Sequence, residues 1–144
     1  VRATVFGWVR STFYEYFHYE SDNTDNPVQD EYELAVVPDG YSLLNEINKA
    51  NGKMYLYVDD SGNMLQFTYA YGEETDSLYI ETELYRQYSG NVHGMLADIY
   101  IAVSENETSV IVWHDRKTEV LFHVFAKSDQ DGLIKIAESV RKKD

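Results

Sequence analysis

From Tyr32 to Phe125 apolar and aromatic residues return at every second position in one segment after another, and this period of two constrains the fold most. A period of two puts alternate side chains on opposite faces of a strand. Tyr32, Leu34 and Val36 alternate with more polar neighbours until Pro38, Asp39 and Gly40 make a turn. Residues 43–51 break the alternation and read as a helical turn or a loop that Gly52 ends. Residues 53–58 and 63–71 flank Asp59-Asp60-Ser61-Gly62, which predicts a hairpin with Leu65, Phe67, Tyr69 and Tyr71 on one face. Residues 77–85 predict a strand with Leu78, Ile80 and Leu84 inward and Tyr79, Glu81, Glu83 and Tyr85 outward. Residues 93–103 align Met95, Ala97, Ile99, Ile101 and Val103 on one face, and Ser104-Glu105-Asn106-Glu107 supplies the next turn. A last hairpin joins residues 109–114 to 119–125. Pairing His114 with Glu119 would set Ile111 opposite Phe122 and Trp113 opposite Val120, leaving Val110, Val112, Leu121, His114 and His123 on a second, partly covered face.

The period changes at both ends. Across residues 1–19, Val5, Val9, Phe13, Tyr16 and Phe17 recur at helical spacing, with Phe6, Trp8 and Tyr14 adding aromatic surface beyond one stripe. From Glu20 to Asp30 the run ESDNTDNPVQD collects turn formers and like charges and reads as an acidic loop. At the other end Ser128-Asp129-Gln130-Asp131 resembles a capping box, and Leu133, Ile136, Ala137 and Val140 follow at i, i+3, i+4 and i+7. Asp131 with Lys135 and Glu138 with Lys142 would be i, i+4 pairs, and Arg141, Lys142 and Lys143 would suit the negative end of the helix dipole. The expected fold is therefore α+β, with an N-terminal helix, an antiparallel sheet of about seven strands in meanders and hairpins, and a C-terminal helix on the sheet. A chain of 144 residues suits one domain over 1–144.

Charge narrows the partners. Twelve Lys and Arg against 25 Asp and Glu give a formal net charge of −13, a field that repels nucleic-acid phosphates and anionic lipid headgroups. A protein, a peptide or an apolar ligand is the expected partner. Thirteen Tyr and six Phe supply the aromatics of a folded core, and Tyr also suits recognition surfaces. There is no cysteine, which excludes disulfides, thiolate metal sites and cysteine nucleophiles. No stretch approaches the ~18 apolar residues of a membrane span. The chain starts at Val1 and not at Met, so a longer parent is expected.

Candidate chemistry is sparse, and no cofactor is expected. Glu81 with Glu83 and Glu105 with Glu107 are nominal acid pairs for glycoside hydrolysis, but a strand sets i and i+2 side by side and not across a sugar. His18, His93, His114 and His123 lack the short ligand spacing of a zinc site. Asp22, Asp25 and Asp30 match no calcium-loop spacing, and Asp59-Asp60-Ser61-Gly62 lacks the first ligands and the distal Glu of an EF-hand loop. Neither Ser61-Gly62 nor Ser89-Gly90 forms a hydrolase elbow. Asn106-Glu107-Thr108 fits a glycosylation sequon, which its turn context already explains. The residues thus point to no catalytic site, no metal site and no identified ligand-binding residue.

Several segments taken together resemble a known family. They are Arg2 to Arg10 (RATVFGWVR) with Phe13-Tyr14-Glu15-Tyr16-Phe17, then Tyr32-Glu33-Leu34 with Val37-Pro38-Asp39-Gly40-Tyr41. The closing part adds Asn106, Val110-Ile111-Val112-Trp113, Phe122-His123-Val124 and Leu133 to Val140 (LIKIAESV). The pattern is similar to an uncharacterised domain family of Gram-positive anaerobes. The resemblance implies an extracytoplasmic domain C-terminal to one transmembrane helix, in some proteins resembling anti-sigma factors. It implies no catalytic residue. The leading expectation is a non-enzymatic sensory or interaction domain at the cell surface, with a carrier of a lipid or other apolar ligand on a curved sheet as the alternative. A glycan-active enzyme is the third.

Overall fold

The computed structural model describes residues 30–49, 51–71 and 84–144. Nine strands and one helix follow in chain order: β1 (Tyr32–Leu34), β2 (Ser42–Lys49), β3 (Gly52–Val58), β4 (Met64–Tyr71), β5 (Tyr85–Val92), β6 (Met95–Ala102), β7 (Ser109–Asp115), β8 (Val120–Ala126), α1 (Gln130–Glu138) and β9 (Val140–Lys142). Seven strands form one antiparallel sheet in the order β2-β3-β4-β8-β7-β6-β5, and β1 pairs with β9 in a separate two-stranded ribbon. The sheet is two meanders, β2-β3-β4 and β5-β6-β7-β8, joined where β4 meets β8.

The seven-stranded sheet agrees with the sequence reading, but the α+β class with a helix at each end is corrected. Strands take up 58% of the described residues and the only helix among them is the nine-residue α1. The predicted helix over residues 1–19 and the acidic loop from Glu20 lie outside the described residues, apart from Asp30. Nor does α1 run through Val140. It ends at Ser139, and the chain returns as β9, so Lys142 pairs with Asp30 at 3.3 Å and not with Glu138. Its N-cap is Asp129, whose carboxylate accepts from the Gly132 amide at 2.8 Å. No described helix is long and apolar enough to cross a membrane.

One face of the sheet carries the larger core. Tyr55, Tyr57, Leu65, Phe67, Tyr69, Ala97, Ile99, Ile111, Trp113, Phe122 and Val124 point into it and meet Tyr32, Leu34, Leu133, Ile136, Ala137 and Val140 from β1, α1 and β9. Ring contacts run across the strands: Phe122 stacks on Trp113 at 5.1 Å and takes the edge of Tyr32 at 5.0 Å. Such pairs add about 0.5–1.5 kcal/mol each beyond area burial. The opposite face holds a second cluster of Met54, Tyr85, Tyr100, Val110, Val112, Leu121 and Phe125.

Local readings fare unevenly. The β3-β4 hairpin is present, and Gly62 takes φ +85 while the Asp59 carboxylate accepts from the Ser61 and Asn63 amides. The turn at Pro38, Asp39 and Gly40 is present, with the Tyr41 amide donating to the Pro38 carbonyl. In the β7-β8 hairpin the expected register slips by two residues. His114 faces Leu121 and Trp113 faces Phe122, which keeps every side chain on its expected face. Of residues 43–51, expected as a helical turn or a loop, 43–49 instead belong to the edge strand β2. Leu44 is accommodated by a bulge between Leu43 and Asn45. Of the strand expected at 77–85 only Leu84 and Tyr85 are described, and their sides are reversed: Leu84 is exposed and Tyr85 is buried.

Candidate functional site

The nominal sites are scattered. Glu105 and Glu107 sit exposed in the turn between β6 and β7, while Glu81 and Glu83 lie outside the described residues. His18, Asp22 and Asp25 also lie outside them. His93 occupies the β5-β6 turn at φ 51. His114 and His123 share the second face of the β7-β8 hairpin, but in separate environments. His114 Nε2 lies 3.3 Å from Glu119 Oε2, whereas His123 is fully buried and burial pushes its imidazole down to about 3. Asp59 is held below its usual range first by the Asn63 side-chain amide at 3.0 Å, so its carboxylate closes a turn. Among the described residues no three His, Asp or Glu side chains are arranged to hold a metal ion. Six of the nine described tyrosines are buried in the two clusters, as half-buried strands favour. Burial lifts the Tyr57 and Tyr69 phenols to about 12.

What the fold does build is a cleft of about 580 Å³ at one end of the sheet, between the segment that joins β1 to β2 and the length of α1 with the turn that leads into it. Val36, Val37, Pro38, Leu65, Ala126 and Ile136 give it an apolar lining, and Asp39, Lys127, Lys135 and Glu138 stand around it with exposed side chains. The local sequence explains each wall. Pro38 and Gly40 turn the chain sharply after Val37, leaving Val36 63% exposed. The Ala126 end of β8 and the Asp129 cap set α1 across the mouth, with Ile136 facing inward. Tyr41 closes one end. Its phenol is raised first by burial and then by the Asp59 charge, so it stays a neutral donor.

The seam between the walls is Ser139. Its carbonyl accepts from the Ala35 amide at 2.7 Å. Its hydroxyl lies 2.8 Å from the Ile136 carbonyl and 3.2 Å from the Val36 carbonyl, and one proton serves the two. The Ser128 hydroxyl donates to the Asp129 carbonyl. Both serine hydroxyls of the cleft are thus engaged with backbone, while a mixed-charge rim over an apolar floor can seat an apolar side chain and meet polar groups around it. Sequence reasoning missed this site. Its lining comes from three separated segments, and only the turn at Pro38-Asp39-Gly40 was a visible signal.

Compared with known proteins, residues 31–140 match a family described as a domain of unknown function (DUF4367). The span contains the quoted segments from Tyr32 to Val140, and the segment from Arg2 to Phe17 falls outside it. No curated protein and no solved structure gives a significant match.

Proposed function

The chain belongs to the DUF4367 family of domains of unknown function, and on that premise we propose that it is a non-catalytic interaction domain whose cleft receives an apolar segment of a protein or peptide partner. The observation that carries the reading is the cleft itself. It has an apolar floor, Lys127 and Lys135 ammonium groups and Asp39 and Glu138 carboxylates at the rim, and Ser128 and Ser139 hydroxyls already turned to backbone carbonyls. Charges of both signs suit the mixed dipoles of a peptide better than a phosphate backbone, which the net charge of −13 repels. Placement outside the cytoplasmic membrane, in a membrane-attached signalling protein, belongs to the same proposal. The family resemblance supports it, and a topology-reporter fusion of the full-length parent that reports cytoplasm would reject it.

Binding is tested by titrating the isotopically labelled domain with a panel of short apolar peptides and following backbone resonances. The expected shifts gather at Val36, Val37, Tyr41 and Ile136. Val36→Glu, which charges an exposed wall position at little cost to folding, should weaken the best peptide at least tenfold. Shifts gathered elsewhere, or a Val36→Glu variant that binds as well as the parent, would reject the cleft as the contact surface. A carrier would use the same volume differently. The sheet face it would need is filled by Tyr55, Phe67, Trp113 and Phe122, so a fatty acid that outcompetes every peptide is the result that would favour it.

A further inference from the structure

The two strands outside the main sheet share a wall with the cleft. β1 pairs with β9 through Tyr32 with Lys142, Glu33 with Arg141 and Leu34 with Val140. The ladder extends at both ends, where the Lys143 amide donates to the Glu31 carbonyl and the Ala35 amide to the Ser139 carbonyl, each at 2.7 Å. Its last rung therefore falls on Ser139, next to Val36, and both residues line the cleft. The ribbon shares no ladder with the seven-stranded sheet. It is held instead by side chains. Tyr32, Leu34 and Val140 are buried beneath it, and the Tyr55 and Tyr71 hydroxyls donate to the Tyr32 and Asp30 carbonyls, each at 2.7 Å. On its outer side Arg141 meets Glu33 at 3.0 Å.

Side-chain anchoring lets a ribbon shift as a unit where an interior strand could not, since no ladder bond of the main sheet has to break. The contact that would register such a shift is the weakest one, the 3.2 Å approach of the Ser139 hydroxyl to the Val36 carbonyl, whose proton the nearer Ile136 carbonyl shares. We propose that the β1-β9 ribbon is a clasp that sets the position of one cleft wall, so that filling the cleft and holding β1 in place reinforce each other. This rests on the cleft being a binding surface. Coupling of this kind is reciprocal, so whatever loosens the chain at Asp30 lowers affinity in the cleft, and a bound segment tightens β1. The clasp thereby gives the domain a way to report cleft occupancy to the chain that enters it at β1.

The chain has no cysteine, so a single engineered disulfide can lock the clasp. Glu33→Cys with Arg141→Cys joins directly opposed residues of an antiparallel pair, at a separation of about 5.5 Å that a disulfide spans. With anilinonaphthalene sulfonate as the cleft probe, the oxidised protein should bind about tenfold more tightly than the same protein reduced. Equal affinity in the two states would overturn the coupling. Independently of any ligand, amide hydrogen exchange on the reduced and oxidised protein should show the segment 36–41 slowed by the lock as strongly as Ala35, with the β5-β6 hairpin unchanged. A lock that slows β1 and β9 but leaves 36–41 at its former rate would also overturn it. Failure of the probe to bind, or binding indifferent to Val36→Glu, would reject the cleft reading alone, and the exchange result would still decide whether clasp and wall move together.

Discussion

The two faces of the seven-stranded sheet are both buried, yet they are built on different chemistry. On the face beneath β1, α1 and β9, Phe67, Trp113, Phe122 and Tyr69 pack ring against ring, and apart from Lys53 and Ser109 at the margins the buried side chains are aromatic or aliphatic. Lys53 escapes the cost by position. Burial is the largest single influence and opposes its charge, but the hydrogen bond to Glu46 at 2.7 Å and the charges of Glu46 and Glu31 together outweigh it and hold the ammonium above its usual range. The opposite face places Thr68, His123 and Asp98 among Met54, Val110, Val112 and Tyr100. Thr68 faces His123 across β4-β8, and Asp98 faces Val112 across β6-β7, so the polar groups lie along one row of the sheet. The first face is therefore sensitive to volume, and the second to protonation as well.

The largest effect expected from this contrast is on the aromatic face. Phe67 is fully buried and contacts the rings of Tyr55, Tyr69 and Phe122. Phe67→Ala should cost about 3–5 kcal/mol in urea unfolding, against about 2 kcal/mol for Val110→Ala on the other face. Equal costs would mean that the two faces differ only in name. Acid probes the second face. The His123 imidazole titrates near 6.5 unfolded and about 3 folded, so protons bind the unfolded chain more readily. Its contribution to stability is complete above pH 6.5 and is lost as pH falls towards 3, by about 3 kcal/mol at pH 4. Asp98 acts in the opposite sense, because burial raises its carboxyl and protonation relieves it. His123→Leu should flatten the loss between pH 6.5 and 4, and a variant with an unchanged acid slope would show that other groups carry it.

The same contrast explains what could be read in advance. Where the sequence alternates strictly between apolar and polar residues, as in Leu65-Gln66-Phe67-Thr68-Tyr69, strand and face were legible from the residues. In β7 and β8 both faces are buried, so Val110 to Trp113 and Leu121 to Phe125 are continuous apolar runs that identify strands without specifying register. A two-residue slip keeps every side chain on its face, and pattern alone could not detect it. Edge strands were hardest. In β2, Leu43 and Leu44 stand adjacent because a bulge absorbs one of them. In β5, Arg86, Gln87 and Ser89 are exposed and carry almost no apolar signal. The clasp was hidden for another reason. Three residues at each of two places about 108 positions apart have no periodicity to find, and Val140 equally fits the helical stripe that was expected to continue. The cleft inherits that obscurity, since two of its walls meet only when β1 reaches β9.

Smaller effects sharpen the account of the cleft. Asp129→Ala removes the carboxylate that caps the Gly132 amide and should cost about 1 kcal/mol. Because α1 forms a cleft wall, the loss should also appear as faster exchange at Gly132 and Leu133 and weaker cleft binding. If stability falls and cleft binding is untouched, the start of α1 is not part of the site.

The smallest expected change is a gain. Thr68 is 2% exposed, and its hydroxyl oxygen has no hydrogen-bond partner among the described residues. A buried hydroxyl without a partner forfeits its hydration and receives nothing in exchange, while a methyl group of the same shape has no hydration to lose. Thr68→Val should therefore leave packing unchanged and raise stability by up to about 1 kcal/mol, read as a higher urea midpoint at constant slope. Since Thr68 faces His123, removing the hydroxyl also asks whether the polar row acts as a unit. With independent groups, the acid limb of Thr68→Val keeps the parent's slope and shifts upward as a whole. With coupled groups, the gain at pH 7 and the gain at pH 4 differ. A loss of more than about 1 kcal/mol at both pH values would contradict the premise, and would show that the hydroxyl has a partner on the second face that the apolar cluster conceals.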